Sequence, residues 1–393
     1  MLSFCIPTFN YNVKKLVADL SRQCVALSID FEILVLEDGL SDSWTEKNSD
    51  IESVFGVRHL IATENAGRSV TRNRLADTAK YGKLVFIDCD SELPDDLFVK
   101  RYLDNYDFEV VCGGTTYTEM QYSPEISLRY TFGNRVEKSP ASKRNEAPYS
   151  AFTTNNLMVS KEVFKKVRFN ENLKKYGHED SLFGYELMQN NIRVGHIDNP
   201  VIHTGIESNE IFLEKTKMGI DNLVVINNLN DVSPDFINHI RVCAHYLRIK
   251  KFGMLWVVRL FYALFGSCLE NHLLTARHPN IFLFNIYKLG YNSKKMKRIS
   301  IIVILLVSLV AFSCRVKQSC EINHTGNISV INHYNSSVEV RVNNEKIGVV
   351  DNGKVLTVEK PLGSYDINVV KYPNVWDTTV VVDECKAVEF IVE

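Results

Sequence analysis

Two aspartates spaced i, i+2, Asp88 and Asp90, end an unbroken apolar run, Leu84-Val85-Phe86-Ile87. Carboxylates leaving a strand end in this way suit a hard divalent cation that keeps some water and shares phosphate oxygens with a substrate. Taken alone, the pair reads more readily as a polar turn capping the next segment. Other polar groups follow short apolar runs in the same region: Thr8 and Asn10 after Leu2–Ile6, and Glu37 and Asp38 after Phe31–Leu36. Arg72 adds a fixed planar charge suited to diphosphate oxygens. Together these groups describe a site for a nucleotide diphosphate and a metal. Further along, Glu179-Asp180 opens an amphipathic stretch, where a carboxylate is either a helix-dipole partner or a general base. His203 ends a later apolar run, a position that fits a structural or solvated histidine.

The elements that must carry these groups alternate. Leu2 to Ile6 predicts a strand stopped by Pro7-Thr8-Phe9-Asn10, and Val13 to Cys24 has helical spacing. Phe31 to Leu36 and the weaker Arg58 to Ala62 predict strands, Asn65 to Lys80 a helix, and Leu84 onward a buried strand. Strands alternating with helices give βαβ units and a mostly parallel sheet, whose strand ends open onto one edge. Tyr106 to Gly114 and Thr153 to Val159 predict further strands, Ile197 to Gly205 an edge strand, and Glu179 to Met188 a helix. Glu119 to Pro148 has no clean period and predicts an irregular excursion, either a mobile loop over an acceptor or ordinary surface.

The order Ile6-Pro7-Thr8-Phe9-Asn10, Glu37-Asp38-Gly39-x-Ser41, Asn65-x-Gly67-x4-Arg72-Asn73 and Asp88-x-Asp90 resembles the family 2 glycosyltransferases of GT-A fold. With Glu179-Asp180 included, the resemblance covers about residues 1–230. It implies that Pro7, Thr8 and Asn10 line the base and ribose pocket and that Asp38 holds base or ribose. Glu37 stands where that family often has Asn or Asp. Arg72 would support the nucleotide, Asp88 would sit near the ribose, and Asp90 would ligate Mn²⁺ or Mg²⁺. In some relatives a histidine at the place of His203 completes the metal site. Asp180 would be the general base and Glu179 would orient the acceptor. The implied reaction is inverting transfer from a nucleotide-diphosphate sugar, UDP-linked by expectation, to a hydroxyl of a glycan or lipid-linked acceptor in cell-surface polysaccharide synthesis. A sugar-1-phosphate nucleotidyltransferase would want a Gly-rich, Arg/Lys-bearing loop after the first strand, which Pro7-Thr8-Phe9-Asn10 lacks. A non-catalytic, membrane-anchored sugar- or nucleotide-binding protein is the alternative from another class.

Length and composition set the frame. At 393 residues, 45% apolar, the chain accommodates several domains. A net charge of −2 argues against a nucleic-acid binder working by bulk charge. From about residue 210 helices are predicted over Ile211–Asn228 and Pro234–Lys250, the second within a helical extension, residues 231–295, that follows the transferase-like region. Its strongly apolar Phe252–Leu269, preceded by Lys250-Lys251, suits either a membrane-surface helix or a buried one. Residues 296–314 resemble a bacterial lipoprotein signal peptide: Lys294-Lys295-Met296-Lys297-Arg298, an apolar run, then Ser313-Cys314. Residues 315–393 predict a small all-β sandwich, in which Cys320 and Cys385 would pair if exported. That division expects residues 1–295 on the cytoplasmic face of the inner membrane and 315–393 outside it.

Overall fold

The computed structural model describes all residues except 40–41, 120–122, 175, 228, 230–231, 234 and 297–323. Ser41, Cys320 and the signal-like segment beyond Met296 therefore lie outside the described residues. The chain divides into two compact units, Met1–Val303 and Ile304–Glu393.

The first unit starts with β1 (Leu2–Thr8), α1 (Lys14–Ala26), β2 (Phe31–Glu37), α2 (Asp42–Lys47), β3 (Val57–Ile61), α3 (Arg68–Thr78) and β4 (Lys83–Ile87). There follow β5 (Ser91–Glu92), α4 (Phe98–Leu103), β6 (Val110–Cys112), β7 (Thr115–Thr116), α5 (Ser127–Phe132), α6 (Ala141–Arg144), β8 (Asn156–Ser160) and α7 (Lys161–Lys166). It continues through α8 (Glu179–Gln189), β9 (Val194–His196), β10 (Val201–His203) and α9 (Asn209–Ile226). Last come α10 (Phe236–His239), α11 (Arg241–Lys251), α12 (Leu255–Thr275) and α13 (Ile281–Lys295).

Seven strands form the main sheet in the order β3-β2-β1-β4-β8-β6-β9. β8 alone runs against its neighbours, β4 and β6; all other pairings are parallel. The central strands are continuous apolar runs because both faces are covered. Alternate residues serve opposite cores: Cys5, Leu34, Leu36 and Phe86 face one, and Phe4, Ile6, Ile33, Val35, Val85 and Ile87 face the other. Helix α1 lays Leu16, Val17, Leu20 and Cys24 on the second core. A small sheet, β5-β10-β7, stands beside the ends of these strands.

Some elements depart from the sequence reading. The expected strand over Tyr106–Gly114 shortens to β6, because Gly113 packs with no room for a side chain against Asn156 and the Asn199 carbonyl. Of the edge strand expected over Ile197–Gly205 only β10 forms, and a further strand, β9, precedes that range. The 119–148 stretch is more ordered than a surface excursion. It contains α5, a π-helical turn at Gly133–Glu137 and α6, and it buries Leu128, Arg129 and Arg144. Arg144 hides there by donating to the carbonyls of Cys112, Gly113 and Ile197. Such carbonyl partners, distant in sequence, leave no hydrophobic period to read. The helix expected over Pro234–Lys250 breaks at Ile240, whose extended backbone separates α10 from α11.

The second unit is all-β: β11 (Thr325–Asn332), β12 (Val338–Val342), β13 (Glu345–Val350), β14 (Val355–Pro361), β15 (Gly363–Lys371), β16 (Asn374–Val382) and β17 (Ala387–Val392). Sheets β14-β11-β17 and β13-β12-β15-β16 enclose a core of Ile328, Val330, Val338, Val340, Ile367 and Val369 among others. The sequence reading did not include β11, whose buried Ile328 and Val330 lie in a stretch rich in Asn, Ser and Thr. Cys385 is disulfide-bonded.

Candidate active site

The ends of β1, β2 and β4 and the start of α8 bring the acidic and basic groups together. Arg72, on α3, is the hub. Its guanidinium is buried, donates to Asp88 Oδ1 at 2.7 Å, and lies 3.8 Å from Glu179 Oε1. Arg68, one helical turn earlier, approaches the same Glu179 oxygen at 3.6 Å. The ring of Phe169 lies 5.4 Å from Arg72, and Tyr176 4.6 Å from Arg68. One arginine thus joins an aspartate of β4's exit to a carboxylate more than ninety positions later. The cluster also carries unsatisfied polar atoms: Arg72 Nε and Nη1 and Glu179 Oε2 are buried without hydrogen-bond partners. Buried donors and acceptors of this kind call for an outside partner, such as an anion or a hydroxyl.

Asp90 belongs to a second, adjacent group. Its backbone carbonyl accepts from the Thr204 N–H and Oγ1, both at 2.9 Å, and Tyr11 shares a 2.9 Å hydrogen bond with that hydroxyl. This clasp, with the β5–β10 pairing, sets His203 Nδ1 3.6 Å from Asp90 Oδ1. Burial raises the Asp90 pKa, but the His203 ring and Arg68 outweigh it, so the carboxyl sits below its ordinary value. Gly205 completes the wall: a Cβ there would lie 2.7 Å from Asp90 Oδ2. A carboxylate and an imidazole at this spacing, in a cradle that a side chain would fill, fit a divalent cation that takes its other ligands from phosphate and water. Among the described residues no cluster of three or more His, Cys, Asp or Glu side chains is present that could hold a metal alone.

Helix α8 begins abruptly. Gly177 and His178 both have positive φ, +102° and +71°. A Cβ on Gly177 would meet the Gly219 backbone of α9 at 2.9 Å, so only glycine fits this approach. Asn222 of α9 holds the Gly177 carbonyl at 2.7 Å. The turn delivers Asp180 to the helix's first turn, where its Oδ1 accepts from the Ser181 N–H at 2.7 Å. Burial, then the neighbouring Glu179 charge, pushes the Asp180 carboxyl up to about 6. Burial also lowers the His178 imidazole to about 4, leaving it neutral at pH 7.

A family model described as Glycosyl transferase family 2 matches residues 3–168. Over that stretch the chain is similar to glycosyl transferase family 2. Chondroitin synthase from Escherichia coli is 24% identical over 221 residues, covering 47% of this chain and 32% of that protein. Hyaluronan synthase from Pasteurella multocida is 22% identical over 225 residues, covering 48% and 23%. The chain spans about a third or less of these relatives' length. Among solved structures, S. aureus TarS 1–349 in complex with UDP aligns with 75% of this chain and 89% of its own, at 17% identity and TM-score 0.41. A mannosyltransferase from Pyrobaculum calidifontis in complex with GDP-Man and Mn²⁺ aligns over 75% and 86%, at 12% identity and TM-score 0.45.

Within the transferase domain, the remaining sequence-derived positions divide. Thr8 is buried at the end of β1, and its carbonyl accepts from the Asp38 N–H at 2.9 Å. Pro7 is half-buried, and Asn10 lies exposed just beyond the strand with φ +50°. Asp38 uses both oxygens to hold the Ala66 and Gly67 N–H groups, at 2.7 and 2.9 Å, and so fixes the entry to α3. Glu37 is not part of the acidic cluster. Its carboxylate is held by Asn48 at 2.9 Å and His59 at 3.0 Å, which ties β2 to β3 and to the turn after α2. Sequence reasoning passed over Arg68, Tyr176, Tyr11, Thr204 and Gly205 as site residues. Arg68 was legible as the i−4 neighbour of Arg72 on one helix face; the others depend on contacts distant in sequence.

Arg72 makes a structural prediction of its own. Arg72→Met leaves the part-exposed Asp88 and the buried Glu179 without their shared cation, with only Arg68 still near Glu179. The expected cost is about 3 kcal/mol of stability, read as a lower urea midpoint. An unchanged midpoint would show that the two carboxylates do not depend on it.

Proposed function

We propose that residues 1–295 catalyse inverting transfer of a sugar from a nucleotide-diphosphate donor, UDP-linked, to a hydroxyl of a glycan or lipid-linked acceptor. The reaction would serve cell-surface polysaccharide synthesis on the cytoplasmic face of the inner membrane. The observation that carries this reading is the Arg72 bridge, which brings the exit of β4 and the start of α8 to one sheet edge. The family match and the synthase relatives support the glycosyl-transfer and polysaccharide parts of it.

In the proposed step, the acceptor oxygen attacks the anomeric carbon as the bond to the donor's β-phosphate oxygen breaks. The hydroxyl proton passes to Asp180, and the nucleoside diphosphate leaves with the bonding pair. Asp180 suits this task because a base with a carboxyl pKa near 6 is ionised at pH 7 yet still accepts a proton. Glu179, held by Arg68 and Arg72, has a free oxygen to orient the acceptor. The unpaired Arg72 donors suit an anionic leaving group. Asp90 and His203 would hold Mn²⁺ or Mg²⁺, which supplies positive charge against the departing diphosphate.

Calorimetric titration of UDP into the full chain, with and without Mn²⁺, tests the donor half of the reading. Metal-dependent binding is expected. No binding under either condition would remove UDP as the donor nucleotide.

A further inference from the structure

Helices α11 and α12 meet at a bend of 119°, centred on Phe252-Gly253-Met254. No single helix among the described residues is long and apolar enough to cross a membrane. Yet α12 is not a core helix either. Only Gly266, Leu269 and Leu273 of it are buried, while Trp256, Val257, Phe261, Leu264 and Phe265 are exposed along one flank. The bend and the start of α13 extend that surface: Phe252 is 75% exposed, Trp256 55% and Phe282 69%. An apolar patch of this size on a protein surface marks an interaction site.

Charge indicates what covers it. Residues 241–296 contain nine lysines and arginines and a single acid, Glu270, whereas the whole chain is net −2. Glu270 is already engaged, by Lys217 at 2.5 Å and Tyr287 at 2.9 Å. Arg248, Lys250 and Lys251 are exposed in the last turn of α11, directly before the apolar bend. Arg259 and Lys294 line a cleft of about 360 Å³ between α12 and α13. An apolar helix flank bordered by unopposed cations, with an aromatic ring at its start, is the composition of an element lying in an anionic lipid surface.

We propose that α12, with the cationic end of α11, docks the chain on the surface of an anionic bilayer. Phe252, Trp256, Phe261 and Phe265 enter the acyl boundary, while Lys250 and Lys251 meet headgroup phosphates. The element is fastened to the transferase unit: Asn209, six residues beyond His203, donates to the Leu274 carbonyl at 2.9 Å, and Ser127 to that of Ala276 at 2.8 Å. Docking therefore holds the site at a fixed place beside the membrane, where a lipid-linked acceptor would present its sugar. That consequence rests on the transfer reading above, but lipid contact is measured without donor, so either can fail alone.

The test uses the full chain with Trp44→Phe and Trp376→Phe, which leaves Trp256 as the only tryptophan. Its emission is followed with vesicles of brominated phosphatidylglycerol or brominated phosphatidylcholine. This readout is local to α12, so insertion of another segment does not imitate it. The expected result is a blue shift and loss of more than half the emission with phosphatidylglycerol. Added Lys250→Glu and Lys251→Glu substitutions should weaken vesicle affinity roughly tenfold or more. Emission unchanged by either lipid overturns the proposal, and equal quenching by both overturns its electrostatic part. Emission already blue-shifted before lipid is added also overturns it. If independent of protein concentration, that shift assigns the face to the chain's own 299–313 run; if concentration-dependent, to a second copy.

Discussion

Asp180→Asn should reduce sugar transfer by roughly 10²- to 10⁴-fold, the range for losing a positioned general base, while UDP affinity stays within about twofold of wild type. The carboxylate and the amide have the same shape, and the Ser181 N–H that Asp180 accepts can bond an amide oxygen equally well. The helix start should therefore survive and only the proton acceptor be lost. The pH dependence gives a second readout. Burial and the adjacent Glu179 raise the Asp180 carboxyl to about 6. A base works only when unprotonated, so kcat/KM should be level above about pH 6 and fall tenfold per unit below it. Glu179→Gln removes the neighbouring charge that contributes to the raised value, so its acid limb should move to lower pH. Stopped assays of donor consumption across pH 4.5–8 would measure all three proteins. Full transfer by Asp180→Asn would place the base elsewhere.

The central sheet was legible because its strands have no solvent side. Leu2–Ile6, Phe31–Leu36 and Leu84–Ile87 each feed two cores, and that demands runs of apolar residues too short for helices. Polar groups at the ends of such runs are expected at one edge, which is where the sequence put Asp38, Asp88 and Asp90. What could not be read was which acids share a partner. Arg72 chooses Asp88 and Glu179, while Asp90 goes with His203, and these choices depend on how α3 and β10 pack. Glu37 shows the converse: adjacent to Asp38 in sequence, it serves Asn48 and His59 because neighbouring strand residues face opposite ways. The start of α8 hides for a similar reason. Nothing local announces that Gly177 must press on Gly219, since the need arises from a later helix that begins only at Asn209. Arg144 and the 119–148 stretch were missed because their stability comes from carbonyl contacts rather than from a hydrophobic period.

The division of labour between the two aspartates leads to the other large effect. Asp88 Oδ1 is committed to Arg72 at 2.7 Å, whereas Asp90 is offered to His203 at 3.6 Å, beyond a good hydrogen bond and spaced for a shared cation. Asp90→Asn should therefore reduce UDP affinity in Mn²⁺ to its metal-free level, because an amide oxygen lacks the charge that draws the cation. His203→Ala should lose part of the metal's contribution, since one of two protein ligands remains. Gly205→Ala supplies a test without touching either ligand. Its methyl would lie 2.7 Å from Asp90 Oδ2, so the carboxylate must turn aside and metal-dependent affinity should fall while metal-free affinity holds. Asp88→Asn should behave differently, acting through Arg72 on binding with and without metal alike. Calorimetry on the four variants separates these outcomes. Unchanged affinity of Asp90→Asn in Mn²⁺ would refute the metal assignment and leave the 3.6 Å pair as a structural contact between β10 and the exit of β4.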